Sequence, residues 1–131
     1  MKTFGIGIDI VETARIEQSI EKFGDRFLQR IYLPDELEYS HKMKHPALHL
    51  AARFAAKEAL SKAFGTGIGK TIGWRDLEVV RTGPGAPQVV LHGGAKEYAE
   101  KIGAIQVLVS LSHTEHYGAA SAIVNIGDGA D

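Results

Sequence analysis

The chain has 131 residues, a length suited to one domain over 1–131, and its 15 Lys+Arg against 16 Asp+Glu give a formal net charge of -1, which excludes a globally basic nucleic-acid clamp. Its 44% hydrophobic and 24% charged residues are the balance of a globular protein able to bury a core without staples. Cysteine is absent, which excludes a disulfide framework, a thiolate metal site and a Cys nucleophile.

The first apolar stretch, residues 4–11, contains Gly5, Gly7 and Asp9 and lacks the longer apolar core and cleavage site of an export signal. No window approaches the roughly 20 apolar residues of a membrane helix. A cytoplasmic protein with neither membrane nor nucleic acid among its partners is expected.

Residues 3–11 alternate, with Ile6, Ile8 and Ile10 on one face and Gly5, Gly7 and Asp9 on the other, and this period of two predicts a strand. From Glu12 the spacing of Ile16 and Ile20 turns helical, and Gly24 ends it. A short helix follows over 26–32, and Pro34 opens another that carries Leu37 and Met43 toward Pro46. The Ala- and Leu-rich stretch 47–64 predicts the strongest helix, stopped by Gly65. A Gly-rich loop over 65–73 leads to strands at 77–81 and 88–91, joined by a turn-rich link over 83–87. A short helix over 95–102 precedes two last strands, 106–111 and 118–126, around a turn at 113–117. The tail from 127 is expected to fray. Helices mixed with hairpin-like strands in this order predict an α+β fold.

Asp9 is the first residue suited to chemistry. An unpartnered carboxylate inside an apolar strand is costly, so Asp9 is expected either to face a cation, a cavity or a hydrogen-bond cluster, or to sit solvated near the strand end. Gly5 and Gly7 would leave room for a ligand beside it. On the long helix, Arg53, Lys57, Glu58, Ser61 and Lys62 share about half the circumference, with alanines filling most of the rest. Glu58 and Lys62 also have the i,i+4 spacing of an ordinary stabilising surface pair. Together, Asp9 and Glu58 offer two hard oxygen ligands, and Arg53 and Lys62 offer cations for phosphate; Mg2+ is commonly held by one or two carboxylates, waters and a substrate phosphate.

Residues 64–71 invite a phosphate-loop reading that fails, because Phe64 stands where Gly is required and a helix, not a strand, precedes. His41, His45 and His49 recur every four residues, a metal-binding spacing on one helix, but Pro46 disfavours helical geometry at His45. His113, beside Ser112 and Thr114, reads either as a phosphate contact or as a surface turn histidine. Arg15, Lys22, Arg26 and Arg30 would form one stripe on a continuous helix over 12–31, which Gly24 opposes. That stripe reads as a solvated face or as a dock for an acidic protein partner.

Gly5-Ile6-Gly7-Ile8-Asp9-Ile10-Val11-Glu12, followed by Arg15-Ile16, resembles the opening motif of bacterial holo-acyl-carrier-protein synthases. Arg53-Phe54-Ala55-Ala56-Lys57-Glu58-Ala59-Leu60-Ser61-Lys62-Ala63-Phe64-Gly65-Thr66-Gly67 is similar to the family's second signature, and Gly85-Ala86-Pro87, Ser112-His113-Thr114 and Tyr117 match later features. These motifs run in order over nearly the whole chain. The family is the small, trimeric branch of the 4'-phosphopantetheinyl transferases. The resemblance implies that fold, mainly antiparallel sheet packed with one long and several short helices. It also implies Mg2+-dependent transfer of 4'-phosphopantetheine from coenzyme A to a serine of apo acyl carrier protein, in support of fatty acid biosynthesis, with release of adenosine 3',5'-bisphosphate.

Carried across by position, the resemblance makes Asp9 and Glu58 the metal ligands and Glu58 and Lys62 the catalytic residues. Arg53, Lys62, Gly65, Gly67, His113 and Thr114 become parts of a coenzyme A pocket between the subunits of a homotrimer, and Arg15, Lys22 and Arg26 the carrier-protein dock. The proton acceptor is Glu58 or a metal-bound water, the water being preferred because a ligating carboxylate is a poorer base. Two other readings stay open: a non-catalytic nucleotide- or coenzyme-binding module, and a different metal-dependent phosphate enzyme.

Overall fold

A computed structural model describes residues 1–81 and 83–129. In chain order the elements are β1 (Lys2–Glu12), α1 (Thr13–Phe23), α2 (Asp25–Ile31), α3 (Pro34–His41), α4 (Pro46–Ala63), a 3-10 turn (Trp74–Asp76), β2 (Leu77–Val80), β3 (Gln88–Leu91), α5 (Gly93–Ile102), β4 (Ala104–His113) and β5 (Tyr117–Ile126). Each predicted element is present with bounds shifted by a few residues, and the 3-10 turn is additional. His113 and Tyr117, expected in a turn, end β4 and begin β5. Pro46 takes the first turn of α4 with His45 non-helical before it, as the missing proline N–H favours. Gly24, at φ +58, separates α1 from α2, so the basic stripe over 12–31 is not one continuous helix. The tail is tied down rather than frayed at its start: the Gly127 N–H donates to the Gly103 carbonyl at 3.1 Å and the Met1 amino group pairs with Asp128. Residues 130 and 131 of that tail lie outside the described residues.

Strands β1, β5 and β4 form an antiparallel sheet in that order, and β2 and β3 form a separate antiparallel pair. The long helix α4 packs on the larger sheet, with Ala51, Ala52, Ala55, Ala56, Ala59 and Ala63 buried. The side of β1 that meets α4 is the glycine side. A Cβ added at Gly5 would lie 2.1 Å from the Ala63 carbonyl oxygen, and one added at Gly7 would lie 2.0 Å from that of Ala59. The space expected beside Asp9 for a ligand is therefore filled by the α4 main chain. Glycine on the strand and alanine on the helix let the two backbones touch, so each shields the other from water without large side chains between them.

Gly7→Ala is expected to lose about 1–3 kcal/mol of stability, the usual cost of forcing extra atoms into a packed site. Urea unfolding measures it, and an unchanged midpoint would show that α4 can retreat freely from the strand.

On the opposite face of β1, Ile6, Ile8 and Ile10 are 72%, 72% and 65% exposed. The register places Ile6 opposite Ile123, and Ile123 opposite Leu108 on β4; both of these are also exposed. An apolar strip thus crosses the whole sheet on the side away from α4, and an exposed patch of this kind marks an interaction surface.

The polar half expected on α4 is not a solvated face. Arg53, Lys57 and Ser61 are buried, with Lys57 at 0% exposure. Its Nζ donates to Glu36 Oε1 at 2.8 Å, to the Trp74 carbonyl at 3.1 Å and to the Leu77 carbonyl. Glu36 in turn accepts from the Leu33 N–H at 2.9 Å and from the Val79 N–H at 3.0 Å. One buried ion pair therefore joins α3, α4, the 3-10 turn and β2. Burial pulls the Lys57 ammonium below its ordinary pKa, and Glu36 opposes that shift.

Candidate active site

Asp9 sits where β1 crosses the C-terminal half of α4. Its Oδ1 accepts from Lys62 Nζ at 3.1 Å, and the same ammonium donates to the Ile8 carbonyl at 3.0 Å. Glu58 lies one helical turn before Lys62. Its pKa is raised, first by burial and then by the negative charge of Asp9, while Lys62 acts in the opposite direction. The electrostatics identify Asp9, Glu58 and Lys62 as one coupled group, brought together from residues about fifty positions apart. Glu58 and Lys62 do not form the simple surface ion pair their spacing allows, because Lys62 turns to the strand.

Two cavities open at this group. One, of about 290 Å³, is lined by Asp9, Arg15, Phe54 and Glu58 among others. The other, of about 500 Å³, lies over the outer face of the sheet, lined by Ile8, Ile10, Ser110, Ser112 and Ser121, with Asp9 and Lys62 reaching its edge. Two neighbouring carboxylates, the charge of Asp9 raising the proton affinity of Glu58, are a donor set suited to a hard divalent cation. Among the described residues no cluster of three or more His, Cys, Asp or Glu could hold a metal ion, so such a cation would take its remaining oxygens from water and substrate. That finding also removes the His41, His45 and His49 metal reading: Nδ1 of His41 bonds the Leu37 carbonyl at 2.7 Å, and His49 packs elsewhere.

Arg53 belongs to a neighbouring cavity of about 310 Å³, lined by Tyr39, His49, Arg53, Arg81, Ser112 and His113 among others. Leu111 and Ser112, consecutive residues of β4, line both this cavity and the larger one. The Arg53 guanidinium stands 4.4 Å from the centre of the Tyr39 ring. Its Nε is buried without a hydrogen-bond partner, and burial lowers its pKa while Glu36 and Tyr39 raise it.

Thr114 is placed differently. Its N–H donates to the Tyr117 carbonyl at 2.8 Å and its Oγ1 accepts from the Tyr117 N–H at 3.1 Å, closing the β4–β5 turn. Thr114 and His113 also line a fourth cavity with Lys44, His45 and Glu115.

Gly65 and Gly67 have positive φ values of 81° and 65°, a backbone that favours glycine. Their N–H groups are already used, Gly65 donating to the Lys62 carbonyl at 2.9 Å and Gly67 to that of Ser61 at 3.1 Å. The loop thus wraps the end of α4 and does not present these two amides as a phosphate cradle. Arg15, Lys22 and Arg26 are exposed. Arg15 reaches the Asp9–Glu58 cavity, whereas Lys22 lies over the Phe23 ring at 5.3 Å.

Sequence reasoning missed Glu36, Tyr39, His49 and Arg81 as neighbours of the functional side chains of α4. Only His49 carried a usable signal, since it precedes Arg53 by four residues and so shares its face. The two phosphate-binding expectations for α4, Arg53 and Lys62, line two different cavities and not one.

A family model described as the 4'-phosphopantetheinyl transferase superfamily matches residues 5–120. The chain is 50% identical over 120 residues to a holo-[acyl-carrier-protein] synthase of Koribacter versatilis, covering 92% of this chain and 96% of that one. Its fold is similar to the crystal structure of the holo-[acyl-carrier-protein] synthase of Neisseria meningitidis, with a TM-score of 0.87 and 35% identity over 94% of this chain and 98% of that one. The Helicobacter pylori synthase, solved in complex with coenzyme A, matches with a TM-score of 0.81 and 35% identity over 92% of this chain and 99% of that one.

Proposed function

The chain belongs to the 4'-phosphopantetheinyl transferase superfamily, and from that premise we propose that it moves the 4'-phosphopantetheine arm of coenzyme A onto a serine of apo acyl carrier protein. The observation that carries this reading is the convergence of Asp9, Glu58 and Lys62 from β1 and α4, with Asp9 and Glu58 lining one cavity. In the reaction the serine oxygen forms a bond to the β-phosphorus of the pyrophosphate. The bond from that phosphorus to the bridging oxygen breaks, adenosine 3',5'-bisphosphate leaves, and the hydroxyl proton passes to a base.

Phosphoryl transfer needs position and charge neutralisation more than a covalent intermediate on the enzyme. The nucleophile can then be the carrier's own serine. Asp9 and Glu58 would hold Mg2+, which when bound supplies positive charge to the pyrophosphate oxygens. Lys62, anchored by Asp9 and the Ile8 carbonyl yet 49% exposed, is held where it can meet negative charge on the transferring or departing phosphate. Glu58 would serve first to hold the cation, since a ligating carboxylate is a poorer base than a free one. Arg53 and His113 would receive the anionic nucleotide end of coenzyme A; Thr114 shapes the neighbouring turn, and Gly65 and Gly67 shape the loop.

We further infer one catalytic domain over 1–131, a cytoplasmic role in fatty acid biosynthesis, and a homotrimer with active sites at its subunit interfaces. The apolar strip on β1, β5 and β4 supports the assembly. The separation of the carboxylate and Arg53 cavities within one chain supports a site completed by a neighbour. No helix of the described residues is long and apolar enough to cross a membrane.

The test is to mix the protein with apo carrier protein, coenzyme A and Mg2+. A mass gain of one phosphopantetheine on the carrier is expected, dependent on all three; release of phosphate from coenzyme A without a carrier would favour a hydrolase instead. Arg15→Glu with Arg26→Glu is expected to weaken carrier association by about tenfold at low salt, the difference narrowing as salt screens it. Fluorescence anisotropy of labelled carrier measures this, and equal affinity at low salt would remove that dock.

A further inference from the structure

The cavity around Arg53 is lined by more basic side chains than the transfer reading uses. His49 stands edge-on to His113, with ring centres 4.9 Å apart, and to Tyr39 at 6.0 Å. Both imidazoles line the same cavity as Arg53 and Arg81. No carboxylate lines it among the described residues, and Arg53 makes no ion pair among them, its Nε being buried with no partner. Two guanidiniums and two imidazoles around 310 Å³ form a receptacle for an anion with several oxygens.

We propose that His49 is an additional anion-binding residue of this cavity and that it takes up a proton when a phosphate group enters. The identification of that phosphate with the nucleotide end of coenzyme A rests on the transfer reading above; the proton coupling rests on the cavity alone. The groups that face His49 are Tyr39 from α3, Arg53 from its own helix, Arg81 after β2 and His113 from β4. Without an anion they make a charged imidazole unfavourable: burial lowers the His49 pKa first, then His113, Arg53 and Arg81 lower it further. A phosphate placed among them reverses the local field and supplies an acceptor for the ring N–H. The bound state then holds the proton more tightly than the free state. By linkage, affinity must rise as pH falls between the two His49 pKa values, up to about tenfold per pH unit for one full proton.

The experiment is calorimetric titration of the full chain with adenosine 3',5'-bisphosphate at pH 6.5 and 8.0, in buffers of different ionisation enthalpy, beside carrier labelling by the same preparation. For the wild type, net proton uptake is expected, together with a downfield NMR shift of the His49 ring on saturation. His49→Phe, which keeps a ring against Tyr39 and His113, should lose a fraction of that uptake and at least about threefold of the pH effect on affinity. His49→Gln serves the same purpose if the phenyl ring disturbs packing. The residual pH effect in either variant belongs to the phosphate itself. Equal proton uptake in the wild type and both variants, or an unmoved His49 resonance on saturation, would overturn the proposal. Failure of labelling with the coupling intact would overturn the transfer reading alone. Absence of bisphosphate binding at both pH values would overturn the anion site, while successful labelling in the same preparation would leave the transfer reading standing.

Discussion

Glu58→Gln is expected to lower carrier labelling by on the order of a thousandfold, the scale on which one charged contact to a transition state acts, while the chain folds at least as well as before. The substitution keeps the shape of the side chain and removes its charge. In the folded chain Glu58 has a raised pKa, caused by burial and then by Asp9. A carboxyl group that binds its proton more tightly folded than unfolded makes folding less favourable as pH rises through that range. At neutral pH the glutamine removes this penalty, so thermal stability should stay level or increase slightly. The same residue should also carry the response to Mg2+. Millimolar Mg2+ should raise the melting temperature of the parent chain, because an ion held by the native state alone shifts the unfolding equilibrium, and it should leave Glu58→Gln unmoved. Full labelling by the variant, or an unchanged Mg2+ response, would remove Glu58 from the site.

The second large effect is structural. Glu36→Ala should destabilise the chain by about 3–5 kcal/mol, as breaking one side of a buried ion pair does; at this chain length that corresponds to a melting temperature lower by about 10–20 °C. Three groups lose a partner at once: the Lys57 ammonium keeps only its two carbonyl acceptors, and the Leu33 and Val79 N–H groups lose theirs. The 3-10 turn and β2, held to α4 through Lys57, should loosen with it, and hydrogen exchange at the Val79 amide should accelerate. Glu36→Leu combined with Lys57→Met should recover much of the loss, since an apolar pair removes the stranded charge. Thermal melts of the three chains decide the matter, and a loss below about 1 kcal/mol for Glu36→Ala would show that water reaches Lys57.

Much of this architecture could be read in the residues. The alternation in β1, the alanine-rich α4 and the order of the two long motifs led to the fold and to the acidic pair. The inside of β1 could not be read correctly, because pattern reading assigns burial to large side chains. Here the isoleucines face outward, and glycine meets the helix main chain directly. Lys57 looked like part of a charged helix face because its partner, Glu36, lies 21 residues earlier, and only the packing of α3 brings them together. His49 had the right spacing from Arg53, but the histidines at 41 and 45 drew it into a metal pattern that Pro46 divides. Thr114 and the loop glycines resemble ligand contacts in sequence, yet their hydrogen bonds here serve the turn and the helix end.

The bare contact between the glycines of β1 and the carbonyls of α4 fixes how far apart Asp9 and Glu58 are anchored. No rotamer lies between the two supports, so side-chain repacking elsewhere gives no leverage over that gap. Ordinary drift among the leucines and valines of the interior can therefore proceed without detuning it. A single added methyl at Gly5 or Gly7 acts as a wedge, prying the acidic jaws apart from a position where it touches neither of them.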